Sequence, residues 1–213
     1  MSKSRYIIGI DLGTTNSVLS YKDTEFPEES IQFLSITQVV KEKHTGEISS
    51  LPSFIYLPGE HELSKGALKL PWNKEIDYCV GEFARKQGSK VPETLVTSAK
   101  SWLSNRQVDR TKPLLPFQAP EEVSKISPIE ASTRYLLHLK NCWNYVFSKE
   151  KDAIFEEQEI YLTVPASFDA VARELTVQAA QNAGFEATLL EEPQAAFYAW
   201  LYSNEENWRE SLE

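Results

Sequence analysis

Along Arg5–Tyr21, RYIIGIDLGTTNSVLSY, an apolar run from Tyr6 to Ile10 enters Asp11 and a polar stretch, and a second apolar run opens at Val18-Leu19. This pattern predicts strand, tight turn and returning strand, a β-hairpin. Asp23–Ser30, acidic and carrying Pro27, predicts a solvated loop, and the β-branched stretch Ile31–Val40 a third strand. A charged turn over Lys41–Gly46 leads to Ile48–Leu57, where Pro52 confines strand to the second half and Pro58-Gly59 ends it. Residues 59–78 show no sustained period. Cys79-Val80-Gly81 predicts a short strand entering a helix at Glu82–Gln87. Pro92 opens a second helical stretch carrying Lys100 and Trp102, and Pro113, Pro116 and Pro120 mark 105–126 as loop with room for one short strand.

The second half is more regular. Ser127-Pro128-Ile129-Glu130 combines a Ser N-cap, Pro at the first helical position and Glu at the third, a capping box. Ile129, Leu136, Leu139, Trp143 and Val146 then mark one helical seam to about Lys149. Glu159–Val164 predicts a strand ended by Pro165. Asp169 caps a helix with Val171, Leu175 and Ala179 on one face, and Gly184 stands where a terminating glycine belongs. Ala187–Leu190 predicts a buried strand, and Glu191-Glu192-Pro193 opens a last helix. Past Ser203 the sequence turns acidic and is expected to fray. Strands separated by helices require parallel crossovers, so the class is mixed α/β. The poorly patterned stretch between about 50 and 125 is expected to form a separate lobe.

Composition narrows the partners. The chain has 213 residues and a net charge of −9 with no basic run, which argues against nucleic acid. No apolar stretch approaches membrane-spanning length, and MSKSRY leads into a strand without an apolar signal region. A cytoplasmic protein is expected. Cys79 and Cys142 lack metal-ligand spacing and read as reduced, buried thiols; His44, His61 and His138 form no ligand pattern and read as structural or solvated.

The hairpin turn carries the candidate chemistry. Gly13 allows close backbone approach, and consecutive N–H groups beside the Thr14 and Thr15 hydroxyls suit phosphate oxygens. Asp11 suits a hydrated divalent cation bridging those oxygens. A plain polar hairpin turn is the competing reading of a bare D-x-G-T-T.

The longer string IGIDLGTTNS resembles the first phosphate loop of the actin, sugar-kinase and Hsp70 ATPase superfamily, and within it the Hsp70 chaperones. Three further stretches are similar to the Hsp70 ATPase domain, in the same order. GEFARKQGSKVPETLVTSAKSWL puts Lys100 on the family's catalytic lysine; a solvated helix lysine is the alternative. YLTVPASFDAVARELTVQAAQNAG puts Pro165 on the proline that switches with nucleotide state and Arg173 on the arginine that relays it; a strand-ending Pro and an exposed Arg are the alternative. LLEEPQAAFYAW puts Glu192 on the glutamate that positions Mg2+-bound phosphates and water; a first-turn dipole partner is the alternative. Ser167, Glu191 and Ser104 depart from the family pattern and mark a divergent member.

The resemblance implies an actin-like (ribonuclease H-like) ATPase lobe, a mixed sheet flanked by helices with a smaller inserted α/β subdomain. The base would comprise 1–50 and 125–213 and the insert 51–124. It implies ATP or ADP with Mg2+, and K+ as a further candidate ion. Asp11 and Glu192 would act on the metal through water, and Gly13, Thr14, Thr15 and Asn16 would hold phosphates. Nucleotide-controlled chaperoning of unfolded peptides, a stress-response role, a J-domain co-chaperone and a nucleotide-exchange factor are implied as well. No match to a second phosphate loop, adenosine segment or peptide-binding domain occurs here. The chain therefore reads as lobe I, apart from its lobe II and peptide-binding domain, inactive alone and unusually apolar or mobile where lobe II would sit. A lobe of a small-molecule kinase or of an actin-like filament subunit is the rival reading.

Overall fold

The computed structural model describes residues 4–59 and 61–204. The predicted hairpin is β1 (Tyr6–Leu12) with β2 (Asn16–Asp23), antiparallel, with Gly9 opposite Ser20 and Asp11 opposite Val18. Period two sorts β1 cleanly: Tyr6, Ile8, Ile10 and Leu12 are buried, while Ile7 and Asp11 are exposed.

The single strand expected over 31–40 is two strands in different sheets. β3 (Gln32–Phe33) pairs with β2, whereas β4 (Ile36–Lys41) forms its own hairpin with β5 (His44–Ile48). Ile36, Thr37, Gln38 and Val39 are all buried, so β4 needs cover on both faces, which an extension of the exposed edge strand β3 cannot supply. The turn expected over Lys41–Gly46 contracts accordingly to Glu42-Lys43, with Lys43 at φ 62°.

β6 (Leu51–Pro52) pairs with β2, and β7 (Ile55–Tyr56) is the centre of a three-stranded antiparallel sheet with β8 (Cys79–Val80) and β9 (Leu95–Val96). α1 (Glu82–Gly88) follows Gly81, whose φ of 97° and whose absent Cβ, 2.3 Å from Gln38 Oε1 if present, both require glycine. The continuous helix expected from Pro92 is interrupted. A 3-10 turn at Pro92–Thr94 gives way to β9, because Leu95 and Val96 pair with β7, and Ser98 in the left-handed region precedes α2 (Ala99–Leu103).

α3 (Pro128–Val146) starts as predicted, with Ser127 Oγ accepting from Glu130 N at 3.1 Å. Half of the capping box forms, since the Glu130 carboxylate pairs with Arg134. Ile129, Leu136, Leu139 and Trp143 are buried, but Val146 is exposed; Phe147 takes its place, stacking on Trp143 at 4.1 Å. β10 (Glu159–Val164) has the predicted bounds and lies parallel to β1. α4 (Ala170–Asn182) is capped by Asp169 and ends at Gly184, φ 83°. Its buried face is Ala172, Leu175, Thr176, Ala179 and Ala180; Val171, expected there, is exposed, one position out of register. β11 (Thr188–Glu191) is only partly buried, against expectation, because it is the sheet's edge, parallel to β10. α5 (Glu192–Ser203) follows directly. The fraying expected past Ser203 falls, except for Asn204, outside the described residues.

The main sheet thus runs β11-β10-β1-β2-β3, with β6 also on β2. One core joins its inner face to α3 and α4; a second cluster gathers Val39, Tyr56, Leu68, Cys79 and Phe83. β7 divides between them, Ile55 facing the first and Tyr56 the second. Burial pushes the Cys79 thiol up to about 12 and the Cys142 thiol up to about 11, so both stay protonated and inert. His138 is buried with Nε2 3.0 Å from Thr37 O, while His44 and His61 are exposed. The other face of the sheet is an apolar groove of about 640 Å³ lined by Ile7, Phe33, Tyr161, Leu190, Tyr198 and Tyr202, among others. No described helix is long and apolar enough to cross a membrane.

Candidate functional site

Three parallel strands, β1, β10 and β11, end side by side, and the candidate residues sit at those carboxyl ends. Asp11 is the penultimate residue of β1, Pro165 follows β10, and Glu192 follows β11. The carboxyl edge of parallel strands is where open α/β sheets place ligands, because the chain leaves it in loops free to diverge. A cleft of about 360 Å³ opens there. Asp11, Gly13, Thr14, Lys100, Pro165 and Glu192 line it together with Ser101, Ser104, Ser167 and Phe168. Thr15 and Asn16 are exposed beside it without lining it, and Arg173 stands behind it on α4.

Lys100 crosses the cleft. Its Nζ lies 2.5 Å from Glu192 Oε1, and its side chain keeps only 12% of its exposure. The solvated-lysine reading therefore fails: Lys100 is directed inward and paired across 92 positions of sequence. Asp11 Oδ1 accepts from Thr163 Oγ1 at 2.9 Å, which orients the carboxylate between adjacent strands.

The Gly13 turn is held from behind. Ser53 Oγ donates to Gly13 O at 2.7 Å, Ser53 N donates to Thr15 O at 2.8 Å, and Ser17 Oγ backs Ser53 Oγ at 3.0 Å. A trans peptide sets N–H opposite C=O, so these bonds direct the Thr14 and Asn16 amides away from Ser53. A Cβ on Gly13 would stand 2.2 Å from Asn16 O, so the turn closes this tightly only around glycine.

Behind the cleft, Arg173 Nη2 bonds Glu191 Oε1 at 2.7 Å and Arg173 Nε bonds Phe168 O at 3.2 Å. Asp169, at the start of α4, accepts both Arg110 Nη1 and Nη2, at 2.9 and 3.0 Å. The Arg110 guanidinium, first, and the Ala172 amide hold the Asp169 carboxyl well below the usual carboxylate range. Sequence reasoning missed Ser53, Thr163 and Arg110 as parts of this site. Each is an ordinary residue type whose partner lies tens of positions away.

A family model described as "Hsp70 protein" matches residues 7–209, nearly the whole chain. The chain belongs to the Hsp70 family. Among curated relatives it is 28% identical to the chaperone protein HscA homolog of Aliivibrio fischeri over 210 residues, covering 91% of this chain and 28% of that protein. It is 29% identical to the chaperone protein DnaK of Mycoplasmopsis agalactiae, with 91% and 25% covered, and 29% identical to the HscA homolog of Cupriavidus metallidurans, with 94% and 29% covered. The chain thus spans between a quarter and three tenths of the length of these relatives. Identity at this level marks a divergent Hsp70.

Two of the three departures from the Hsp70 pattern have a structural setting. Ser104 closes α2 at φ −96°, a conformation open to any residue, so glycine is not needed there. Glu191 is the partner of Arg173, and its charge makes that contact an ion pair. For Ser167 the structure offers only its exposed place on the cleft wall.

Proposed function

We propose that this chain is lobe I of an actin-like ATPase domain, and that its cleft binds the phosphates of ATP or ADP with Mg2+. The observation that carries this reading is the convergence of Asp11, Gly13, Thr14, Lys100 and Glu192 on one cleft at the carboxyl edge of the sheet. The residues fit the group. Among the described residues no three acidic, His or Cys side chains gather into a metal cage. A cation beside Asp11 would be held through its own water, with Asp11 and Glu192 accepting from that water and phosphate oxygens beside it, which suits Mg2+ because it keeps several waters.

When bound, Mg2+ would neutralise charge on the phosphates during transfer to water. The chain's own residues divide the remaining work. The amides and hydroxyls of Thr14 and Thr15, with Gly13 and Asn16 shaping the turn, hold phosphate oxygens. Asp11 accepts from metal-bound water. Lys100 offers a mobile positive charge to the transferring phosphoryl group, and Glu192 orients both Lys100 and the attacking water.

The division into a base (1–50 and 125–213) and an insert (51–124) belongs to this proposal, supported by the second apolar cluster around Tyr56 and Phe83. The apolar groove on the sheet's open face is the surface for lobe II of the longer protein. In that protein, hydrolysis would govern the grip on unfolded peptide through Pro165 and Arg173. A J-domain co-chaperone and a nucleotide-exchange factor would regulate the cycle in the cytoplasm.

Calorimetric titration of the full-length protein with ATP, with Mg2+ and with EDTA, tests the site. The parent should bind more tightly with Mg2+, and Asp11→Asn should remove that gain. An Asp11→Asn protein with an undiminished Mg2+ effect would place the cation elsewhere.

A further inference from the structure

Lys100 stands on a helix that cannot hold its own position. α2 has five residues, its N-cap Ser98 makes no side-chain cap bond, and helices this short are unstable alone. Ala99 and Leu103 are buried and anchor one side. What fixes the other end is a charge cluster. Arg110, only 8% exposed in its side chain, grips both Asp169 oxygens, and its Nε donates to Asn105 O at 3.0 Å. Asn105 N in turn donates to Trp102 O, so Asn105, next to the closing residue Ser104, belongs to the turn that ends α2. One guanidinium therefore ties the end of α2 to the start of α4. Arg106 adds a third bond to Asp169, at 3.0 Å, from a largely exposed position.

Asp169 joins this grip to the cleft on its other side. It follows Phe168 and Ser167, which line the cleft, and it caps α4 by accepting from Ala172 N at 2.8 Å. One turn on, Arg173 bonds Glu191, the neighbour of Glu192, and Glu192 pairs with Lys100. The contacts form a closed circuit: Lys100, α2, Asn105, Arg110, Asp169, Arg173, Glu191, Glu192 and back to Lys100.

We propose that Arg110 and Asp169, assisted by Arg106, are positioning residues that set where Lys100 stands opposite Glu192. Their functional meaning rests on the cleft being a phosphate site, but the geometric dependence does not. Asp169 is doubly engaged, since the same carboxylate caps α4 and holds the arginines. A neutral residue that still caps separates these tasks, and Asn does so.

A double-mutant cycle on thermal unfolding without nucleotide tests the dependence. Lys100→Met and Glu192→Gln are each made in the parent and in Asp169→Asn, with Asp169→Ser as a second capping background. If Asp169 positions the pair, both substitutions lower the Tm in the parent, and both drops are at least halved in Asp169→Asn and in Asp169→Ser. A direct charge interaction with Asp169 would instead change the two drops in opposite senses, because Lys100 and Glu192 carry opposite charges. Opposite senses overturn the proposal. Additivity does too, including no cost in either background. The measurement is blind to nucleotide, so a failure of ATP binding in titration and a failure of this cycle are separate results.

Discussion

Arg173 and Glu191 are joined at 2.7 Å, and the pair fastens the first turn of α4 to the residue that immediately precedes Glu192. Arg173 also bonds Phe168 O, so it touches the loop after Pro165 and the start of α5 together. A residue so placed can pass a shift at Pro165 to Glu192, or the reverse, through one rigid group. Coupling requires one element that both sites bias, and this pair supplies a physical link.

Arg173→Ala in the full-length protein should leave ATP affinity unchanged and reduce peptide stimulation of hydrolysis about fivefold or more, the lower range of coupling free energies. Pro165→Ala should act in the same direction by freeing the fixed φ after β10. Stimulated ATPase rates measured with a model peptide decide this. Parental stimulation in both variants would leave Pro165 a strand terminator and Arg173 a structural ion pair.

Gly13→Ala should reduce ATP affinity about a hundredfold, because the new Cβ meets Asn16 O and the turn must open. Ser53→Ala should cost about tenfold, the value of the one hydrogen bond that holds the Gly13 carbonyl back. Calorimetric titration reads both. Parental affinity in both variants would separate the turn from phosphate binding.

His138 gives the fold a specific acid sensitivity. Burial is the larger cause, and it lowers this imidazole to about 4 despite the bond to Thr37 O. Between the unfolded value near 6.5 and the folded value, the unfolded chain takes up the proton and the folded chain does not. Stability contributed by His138 is therefore whole above about pH 6.5 and falls as pH drops toward 4, by roughly 3 kcal/mol in total. His138→Gln keeps a donor for Thr37 O without titrating. Its Tm should fall less between pH 6.5 and 4 than the parent's, and parallel curves would refute the assignment.

Residues 1–213 alone should bind ATP more weakly than micromolar, because lobe II would supply the remaining phosphate contacts. Losing two charge-assisted contacts of about 1.5–3 kcal/mol each weakens affinity by two decades or more. Titration of this chain giving a micromolar or tighter constant would show that the cleft is complete without a second lobe.

The strands and helices that carry the site were legible because their signals are local. The hairpin around Gly13, the caps at Ser127 and Asp169 and the strand ended by Pro165 each depend on neighbours within a few positions. The errors arose where distant partners decide. Whether 31–40 is one strand or two depends on what covers Ile36–Val39, and β9 exists because β7 lies beside it. Val171 and Val146 were misplaced because apolar character alone does not fix the phase of a helix against a sheet. In the site, motif positions marked Asp11, Lys100 and Glu192. The bonds from Thr163 to Asp11, from Ser53 to the Gly13 turn and from Arg110 to Asp169 span 40 to 152 positions, and no short pattern encodes them.

Lys100, paired with Glu192 across the cleft, is proposed to assist phosphoryl transfer. Single-turnover hydrolysis by the full-length protein, parent against Lys100→Ala, measured alongside ATP affinity, addresses this role most directly. Lys100→Ala should lower the rate by about two to three decades, the scale of one electrostatic group acting in the transition state, with affinity nearly unchanged. Hydrolysis at the parental rate in Lys100→Ala would contradict this role and leave the Lys100–Glu192 pair a structural contact.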